Sequence, residues 1–181
     1  YYQLNKFELA AACFTKGQQL IEEWWSRDDE LYARSEYYLG LIKEGKGDLE
    51  GAKVRYKAAG VIMNDLGLEN TVDNLKYRIK YGRMLYEIGD YETSFAVRNE
   101  NLEIAEKVLG KHHLDYARVT TEMAVSLGQG GSYRAAIPYL EQALEIEKNI
   151  LKRSATHLSE EELSRLIRST YFSEDVICLM A

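Results

Sequence analysis

Apolar side chains recur at three- and four-residue steps along nearly the whole chain, and the alternation of apolar and polar residues that marks a strand is missing. This pattern predicts helices, and short stretches containing glycine, aspartate and serine predict the turns between them. The predicted helices cover residues 5–25, 29–45, 48–66, 72–88, 91–109, 115–127, 132–152 and 159–171, with another short helical stretch after them. The chain is therefore expected to be all-α.

One turn returns at a constant interval of 42 residues: Gly47-Asp48-Leu49, Gly89-Asp90-Tyr91 and Gly131-Ser132-Tyr133. Small residues keep the same step at 40, 82 and 124 and at 52, 94 and 136, and isoleucine keeps it at 62, 104 and 146. Small residues on facing helices let the two axes come close. A fixed period of this length predicts a solenoid, in which each pair of antiparallel helices is stable only when stacked on its neighbours.

The small–turn–small pattern of Gly82, Gly89-Asp90-Tyr91 and Ser94 resembles the signature of the tetratricopeptide repeat. The 42-residue step is similar to the longer variant of this repeat found in kinesin light chains. Residues 109–117, LGKHHLDYA, resemble the linker of that variant, and residues 142–146, QALEI, resemble one of its helices.

The resemblance implies a right-handed superhelical solenoid of antiparallel helix pairs that includes residues 1–181. Its units are expected at about 1–25 (partial), 29–67, 71–110, 115–152 and 159–181 (partial or capping). Because the sequence begins and ends within a unit, we expect it to be a fragment of a longer protein. The broken ends would expose apolar surface, so some self-association is expected.

The sequence departs from the family pattern at several inward positions. Glu36, Arg78 and Thr120 stand where the family usually carries a bulky apolar residue. Arg98 and Asn101 stand where the neighbouring units carry apolar residues, so the middle unit is predicted to be polar inside. Glu36 and Arg78 are one period apart, and we expect that they could pair across units.

In this family the first helix of each pair lines a concave groove, which implies a set of partner-binding residues. These are Arg34, Tyr37 and Leu41; Lys76, Ile79, Arg83 and Tyr86; and Arg118, Thr121 and Val125. The same inward stripes also include Glu44 and Gly128. The first residue of each set is basic, which would suit a protein or peptide partner carrying acidic and apolar side chains. The alternative is that these bases are ordinary solvated charges.

Signals for chemistry are weak. His112 and His113 are adjacent and lack the i, i+4 spacing of helical metal ligands. The glycines at 128–131 are not followed by Lys-Ser/Thr, so they do not form a phosphate loop. No cysteine has a histidine nearby in sequence that would mark it as a nucleophile. We therefore predict that the chain is not an enzyme and needs no cofactor or metal.

Composition limits the partners. The formal net charge of −6 argues against general affinity for nucleic acid. No apolar run approaches the roughly 18 residues that cross a bilayer, so no membrane partner is expected. The two cysteines, Cys13 and Cys178, are far apart and are predicted to be reduced thiols of a cytoplasmic protein.

The sequence thus predicts a protein- or peptide-binding scaffold or adaptor. The alternative is a ligand-sensing or oligomerisation segment of a larger multidomain signalling or regulatory protein, whose effector domain lies outside these residues. The Trp24-Trp25 pair leaves two interpretations open, because an exposed indole either anchors an interface or is covered by a preceding unit.

Overall fold

The computed structural model describes residues 2–24, 27, 29–155, 159, 161 and 162 of the chain. In these residues all regular structure is helical, and the helices form seven elements. They are α1 (Tyr2–Trp24), α2 (Glu30–Gly45), α3 (Leu49–Asp65), α4 (Val72–Glu87), α5 (Tyr91–Leu109), α6 (Leu114–Gln129) and α7 (Tyr133–Ala155). The all-α prediction is confirmed, with helix ends within about three residues of their predicted positions.

The helix ends follow from local chemistry. Asp29, Asp48 and Thr71 cap α2, α3 and α4 by accepting backbone N–H groups with their side chains. Past the ends of α2, α4 and α6, Gly47, Gly89 and Gly131 adopt positive φ angles of 79°, 89° and 73°. The predicted capping box is present, because Ser159 Oγ accepts the Glu162 N–H and Glu162 Oε2 accepts the Ser159 N–H. The helix predicted at 159–171 otherwise lies outside the described residues.

The chain divides into two compact units, residues 1–97 (unit 1) and 98–181 (unit 2). In unit 1, α2 packs against α1 and α3, and α3 packs against α4. The ring of Tyr56 packs directly against Gly40, and a Cβ at Gly40 would lie 2.6 Å from that ring. Ser94 Oγ donates to the Gly82 carbonyl at 2.8 Å, so the predicted small positions are points of close approach.

The core of unit 1 combines small and large apolar side chains. One cluster joins Ala33, Ala59, Met63 and Tyr77, and Ile62 packs against it. Ile62 belongs to the predicted isoleucine column, and it lies where α3 meets the next helix. The expected packing role of that position is therefore observed here.

Unit 2 is built on α6 and α7, which pack together along their length. Arg98 is only 3% exposed, and its Nη1 donates to the Glu122 carbonyl at 2.8 Å and to Ser126 Oγ at 2.9 Å. Asn101 is also buried. Arg98 and Asn101 belong to the middle repeat, predicted at residues 71–110, so its predicted polar interior is observed. The hydrogen bonds of Arg98 to α6 allow a cation to lie within it.

Two other polar residues at predicted inward positions are also buried and hydrogen-bonded. Glu36 is buried and accepts hydrogen bonds from Gln18 Nε2 at 2.6 Å and Arg55 Nη1 at 2.8 Å. Thr120 is buried and donates to the Tyr116 carbonyl at 2.8 Å. The pairing of Glu36 with Arg78 stays a prediction, and the observed bonds join Glu36 to α1 and α3.

Candidate functional site

The predicted groove residues of unit 1 lie on α2 and α4. Arg34 and Lys76 are exposed, and the other five, Tyr37, Leu41, Ile79, Arg83 and Tyr86, are half-buried. All seven therefore keep contact with solvent, as residues that bind a partner must. Glu44, the last position of the same stripe on α2, is also half-buried.

A cleft of about 280 Å³ brings three of these residues together. It is lined by Arg34, Tyr37, Tyr38, Asp73, Lys76 and Tyr77. Tyr38, Asp73 and Tyr77 were not predicted. A sequence signal for Asp73 existed, because it stands one helical turn before Lys76 and Tyr77 and so falls on the same face of α4.

Aromatic rings form the wall of the cleft, with Tyr37 at the centre. The Tyr37 ring lies 4.8 Å from that of Tyr77 and 5.6 Å from that of Tyr38, measured between centroids. Tyr38 stacks on Phe14 of α1 at 4.9 Å, and Tyr37 also contacts Tyr56 of α3 at 5.7 Å. Pairs at these separations are mutually attractive, so the wall is held in place by helices α1 to α4.

The basic residues of the cleft already have acidic partners. Lys76 Nζ lies 2.9 Å from Asp73 Oδ1, and Arg34 Nη2 lies 3.7 Å from Asp73 Oδ2. Arg34 Nη2 also lies 3.0 Å from Glu30 Oε1. The two cations are therefore balanced by two carboxylates, and the cleft does not carry the simple positive charge that the sequence suggested.

The pKa of Tyr77 is affected by the charged groups of the cleft. Burial and the negative charge of Asp73 raise the pKa of Tyr77 to about 12, against the opposing influence of the Arg34 cation. The phenol is therefore neutral at physiological pH and can act as a hydrogen-bond donor.

A second polar cluster fixes α2 to α3 and α4. The Glu44 carboxylate accepts hydrogen bonds from Tyr56 Oη, from Lys80 Nζ and from Arg83 Nη2. Burial alone would raise the pKa of Glu44, but the bonds from Tyr56 and Lys80 and the charge of Arg83 outweigh it and lower the pKa. Arg83, predicted to face a partner, is thus engaged within the protein.

The predicted residues of unit 2 lie along α6. Arg118 is exposed, with Nη1 3.2 Å from Asp115 Oδ1, and Thr121 Oγ1 donates to the Ala117 carbonyl at 3.0 Å. Val125 is half-buried and Gly128 is buried. The hydroxyl of Thr121 therefore serves its own helix, and Gly128 offers no surface to a partner.

The other side chains that the sequence singled out are the histidines, the tryptophans and the cysteines. His113 caps α6, since its Nδ1 accepts the Asp115 N–H at 3.1 Å. Trp24 is 75% exposed at the end of α1. Trp25, His157 and Cys178 lie outside the described residues, and Cys13 is exposed. In the described parts of the chain, no group of three or more His, Cys, Asp or Glu side chains is arranged to hold a metal.

Among the described helices, none combines the length and the apolar character needed to span a bilayer.

Comparisons with known proteins bear on the fold. Residues 74–149 match the family described as tetratricopeptide repeat. The structure of BtubC (BKLC) from P. vanneervenii is similar with a TM-score of 0.73 and 15% identity. That match covers 81% of this chain and 58% of BtubC, so the chain spans little more than half of that relative.

A second similar structure is that of kinesin light chain TPR-like repeats from Podosopora anserina. It has a TM-score of 0.63 and 14% identity, and the match covers 99% of this chain and 86% of that one. A variant of the same protein has a TM-score of 0.62 with the same coverage. No curated protein matches the sequence.

Four observations point to the same fold: the 42-residue period, the paired helices, the family match and the structural likenesses. At these identities the structural likenesses concern the fold, which is the TPR-like solenoid fold predicted from the sequence. Residues 74–149 match the tetratricopeptide repeat family, and the chain is similar in fold to kinesin light chain repeats.

Proposed function

We propose that the chain is a cytoplasmic scaffold or adaptor that binds a protein or peptide partner through the cleft between α2 and α4. The observation that carries the proposal is the grouping of three tyrosines with Arg34 and Lys76 in one cleft of about 280 Å³. Tyrosine and arginine are the side chains that most often dominate binding energy at protein interfaces. Scaffolds of stacked repeats commonly use extended surfaces of this kind for binding.

The cleft has groups for two kinds of partner side chain. The rings of Tyr37 and Tyr38 offer apolar area that is already ordered, because Tyr37 packs on the buried ring of Tyr77 and Tyr38 stacks on Phe14. Little entropy is therefore lost on binding. Arg34 and Lys76 offer cations for an acidic side chain of the partner. The proposed partner is therefore a segment that carries an apolar or aromatic residue close to an acidic residue.

Peptide selection tests this proposal even though the partner has not been identified. Peptides that bind the wild-type chain are selected from a random library, and their dissociation constants are measured by calorimetry. The Arg34→Glu/Lys76→Glu variant should weaken them at least tenfold. Arg118→Glu, which changes a base of the same predicted column outside the cleft, is the matched control and should change affinity less than twofold.

Equal affinity of the wild type and the double variant would exclude the cleft as the binding site. Equal loss of affinity in the double variant and in Arg118→Glu would contradict the assignment of binding to the cleft. The thermal midpoint of each variant is measured to show that the fold is retained.

We also propose self-association through α1, since a specific feature supports it. Leu9, Leu20 and Trp24 are 69%, 44% and 75% exposed and lie on one face of that helix. The change Leu9→Ser/Trp24→Ser should shift sedimentation of a concentrated sample towards the monomer. Identical sedimentation of the variant and the wild type would contradict this role. The ligand-sensing alternative stays a prediction from the sequence.

A further inference from the structure

Asp73 occupies the centre of the charged part of the cleft. Its two carboxylate oxygens lie towards different cations, with Oδ1 2.9 Å from Lys76 Nζ and Oδ2 3.7 Å from Arg34 Nη2. The side chain is 38% exposed, so it is accessible from solvent. Asp73 thus stands where an acidic group of a partner would have to bind.

The two contacts differ in strength. The Lys76 contact is a hydrogen bond, whereas 3.7 Å between Arg34 and Asp73 is an ion pair without one. Ion pairs between such exposed groups contribute little to stability, so they can be exchanged for others. Arg34 retains Glu30 at 3.0 Å on its own helix, and Glu30 does not line the cleft.

Taking the proposed function as its basis, we infer that Asp73 is a built-in counter-ion that sets the specificity of the cleft. An acidic group of a partner binds by displacing the Asp73 carboxylate from Arg34 and Lys76. A neutral apolar side chain meets only the tyrosine wall and needs no such exchange. Asp73 therefore weakens acidic ligands selectively and limits indiscriminate binding of anions.

The next repeat supplies a control at the equivalent position. Asp115 stands one 42-residue period after Asp73, also in the first turn of its helix, and its Oδ1 lies 3.2 Å from Arg118 Nη1. It does not line the cleft. The changes Asp73→Asn and Asp115→Asn therefore remove the same charge from equivalent helix positions, so effects on the helix itself should be similar.

The test uses two small probes of nearly the same size and shape, the anion phenylacetate and its neutral amide phenylacetamide. Their binding is followed by NMR titration of the tyrosine ring signals in the full chain. Asp73→Asn should bind phenylacetate about fivefold more tightly than the wild type, as expected for removing one unit charge about 4 Å away in water. Phenylacetamide should bind both proteins within about twofold of each other, and Asp115→Asn should match the wild type with both probes.

Unchanged or weaker binding of phenylacetate by Asp73→Asn would overturn the inference, and so would failure of every protein to bind it. If Asp73→Asn does not fold, Asp73→Ser, which suits a first helical turn, replaces it. The outcome is separate from that of the proposed function. If selected peptides bind the cleft but Asp73→Asn does not change phenylacetate binding, the proposed function stands and the inference is wrong. If Asp73→Asn strengthens phenylacetate binding but selected peptides do not bind the cleft, the charge effect of Asp73 stands and the proposed function is wrong.

Discussion

Single residues decide how closely the helices of unit 1 approach each other. Gly40 on α2 has no side chain, and the ring of Tyr56 on α3 fills the space that a side chain would need. Tyr56 is completely buried, and its hydroxyl reaches Glu44 one turn further along α2. The small residue and the large residue therefore work as a pair, and neither can be changed alone without disturbing the other.

We expect Gly40→Ala to lower the free energy of unfolding by about 2 kcal/mol, because the added Cβ would overlap the Tyr56 ring. Urea denaturation followed by circular dichroism measures the effect. Gly60→Ala is the control, since its Cβ would meet its nearest atoms at 3.7 Å, an ordinary contact. It should be neutral or stabilise by up to about 1 kcal/mol. Equal destabilisation by both changes would contradict the steric explanation.

The Glu44 cluster makes stability depend on pH. The pKa of Glu44 is lowered in the fold from 4.5, so its contribution is fully present above that unfolded value. The contribution is lost as the pH falls through the lower folded pKa, because protonation then breaks the bonds from Lys80 and Arg83. Stability therefore rises with pH across this range, because the carboxyl of Glu44 releases its proton more readily in the folded chain than in the unfolded chain.

We expect Glu44→Gln to cost about 2 kcal/mol of unfolding free energy at pH 7, since it removes charged hydrogen bonds of a half-buried group. The difference from the wild type should shrink as the pH is lowered through the acid range. Thermal unfolding at pH 7, 5 and 3 measures it. A difference that stays constant between pH 7 and pH 3 would show that the charge of Glu44 is unimportant.

At the scale of the helices, the repeated turn is a repeated hydrogen-bonding pattern. Asp48, Asp90 and Ser132 each donate their backbone N–H to a carbonyl five residues earlier, at 2.9, 2.9 and 2.8 Å. The glycine before each of them has a positive φ. This is the helix-ending motif that favours glycine, because a Cβ is strained in the left-handed region. Three helices therefore stop at equivalent positions.

We expect Gly89→Ala to destabilise the chain by about 1 kcal/mol through this backbone conformation. Its φ is 89°, and nothing lies within 4 Å of a Cβ built there, so steric overlap is not involved. Gly130→Ala is the control, because Gly130 has a φ of −73° that any residue adopts. Its midpoint in urea should lie close to that of the wild type. Equal midpoints for Gly89→Ala and the wild type would contradict the conformational argument.

At the scale of the whole molecule, stability should be distributed over units. The described helices form two compact units, and within each the main contacts join helices that are neighbours in sequence. In repeat proteins, stability is approximately a sum of unit terms and nearest-neighbour terms. A local change should therefore have its largest effect close to its own helix pair.

Hydrogen exchange of Gly40→Ala tests this distribution. Amides of α2 and α3 should lose more protection than those of α6 and α7, which lie in the other unit. The Gly60→Ala protein again serves as the control. An equal loss of protection in all of these helices would show that the chain unfolds as one cooperative body.

The sequence by itself determined the helices, their ends and the repeat. Those features depend on local chemistry, such as the N-capping of α2 by Asp29 or the positive φ of Gly89, and on a spacing that repeats along the chain. It also indicated the polar interior near Arg98, because an arginine at an inward position breaks the pattern of its neighbours. The groove residues of α2 and α4 followed from the family resemblance.

Only the tertiary structure decided what those residues do to one another. It placed Asp73 between Arg34 and Lys76, joined Arg83 to Glu44 and gathered Tyr37, Tyr38 and Tyr77 into one wall. The contacts of Asp73 with Arg34, of Arg83 with Glu44 and of Tyr77 with Tyr37 join α4 to α2. Their geometry depends on side-chain directions that periodicity does not specify. For that physical reason the pairing of Lys76 with Asp73 on one helix could be predicted from spacing, whereas the approach of Arg34 to Asp73 from another helix became apparent only in the fold.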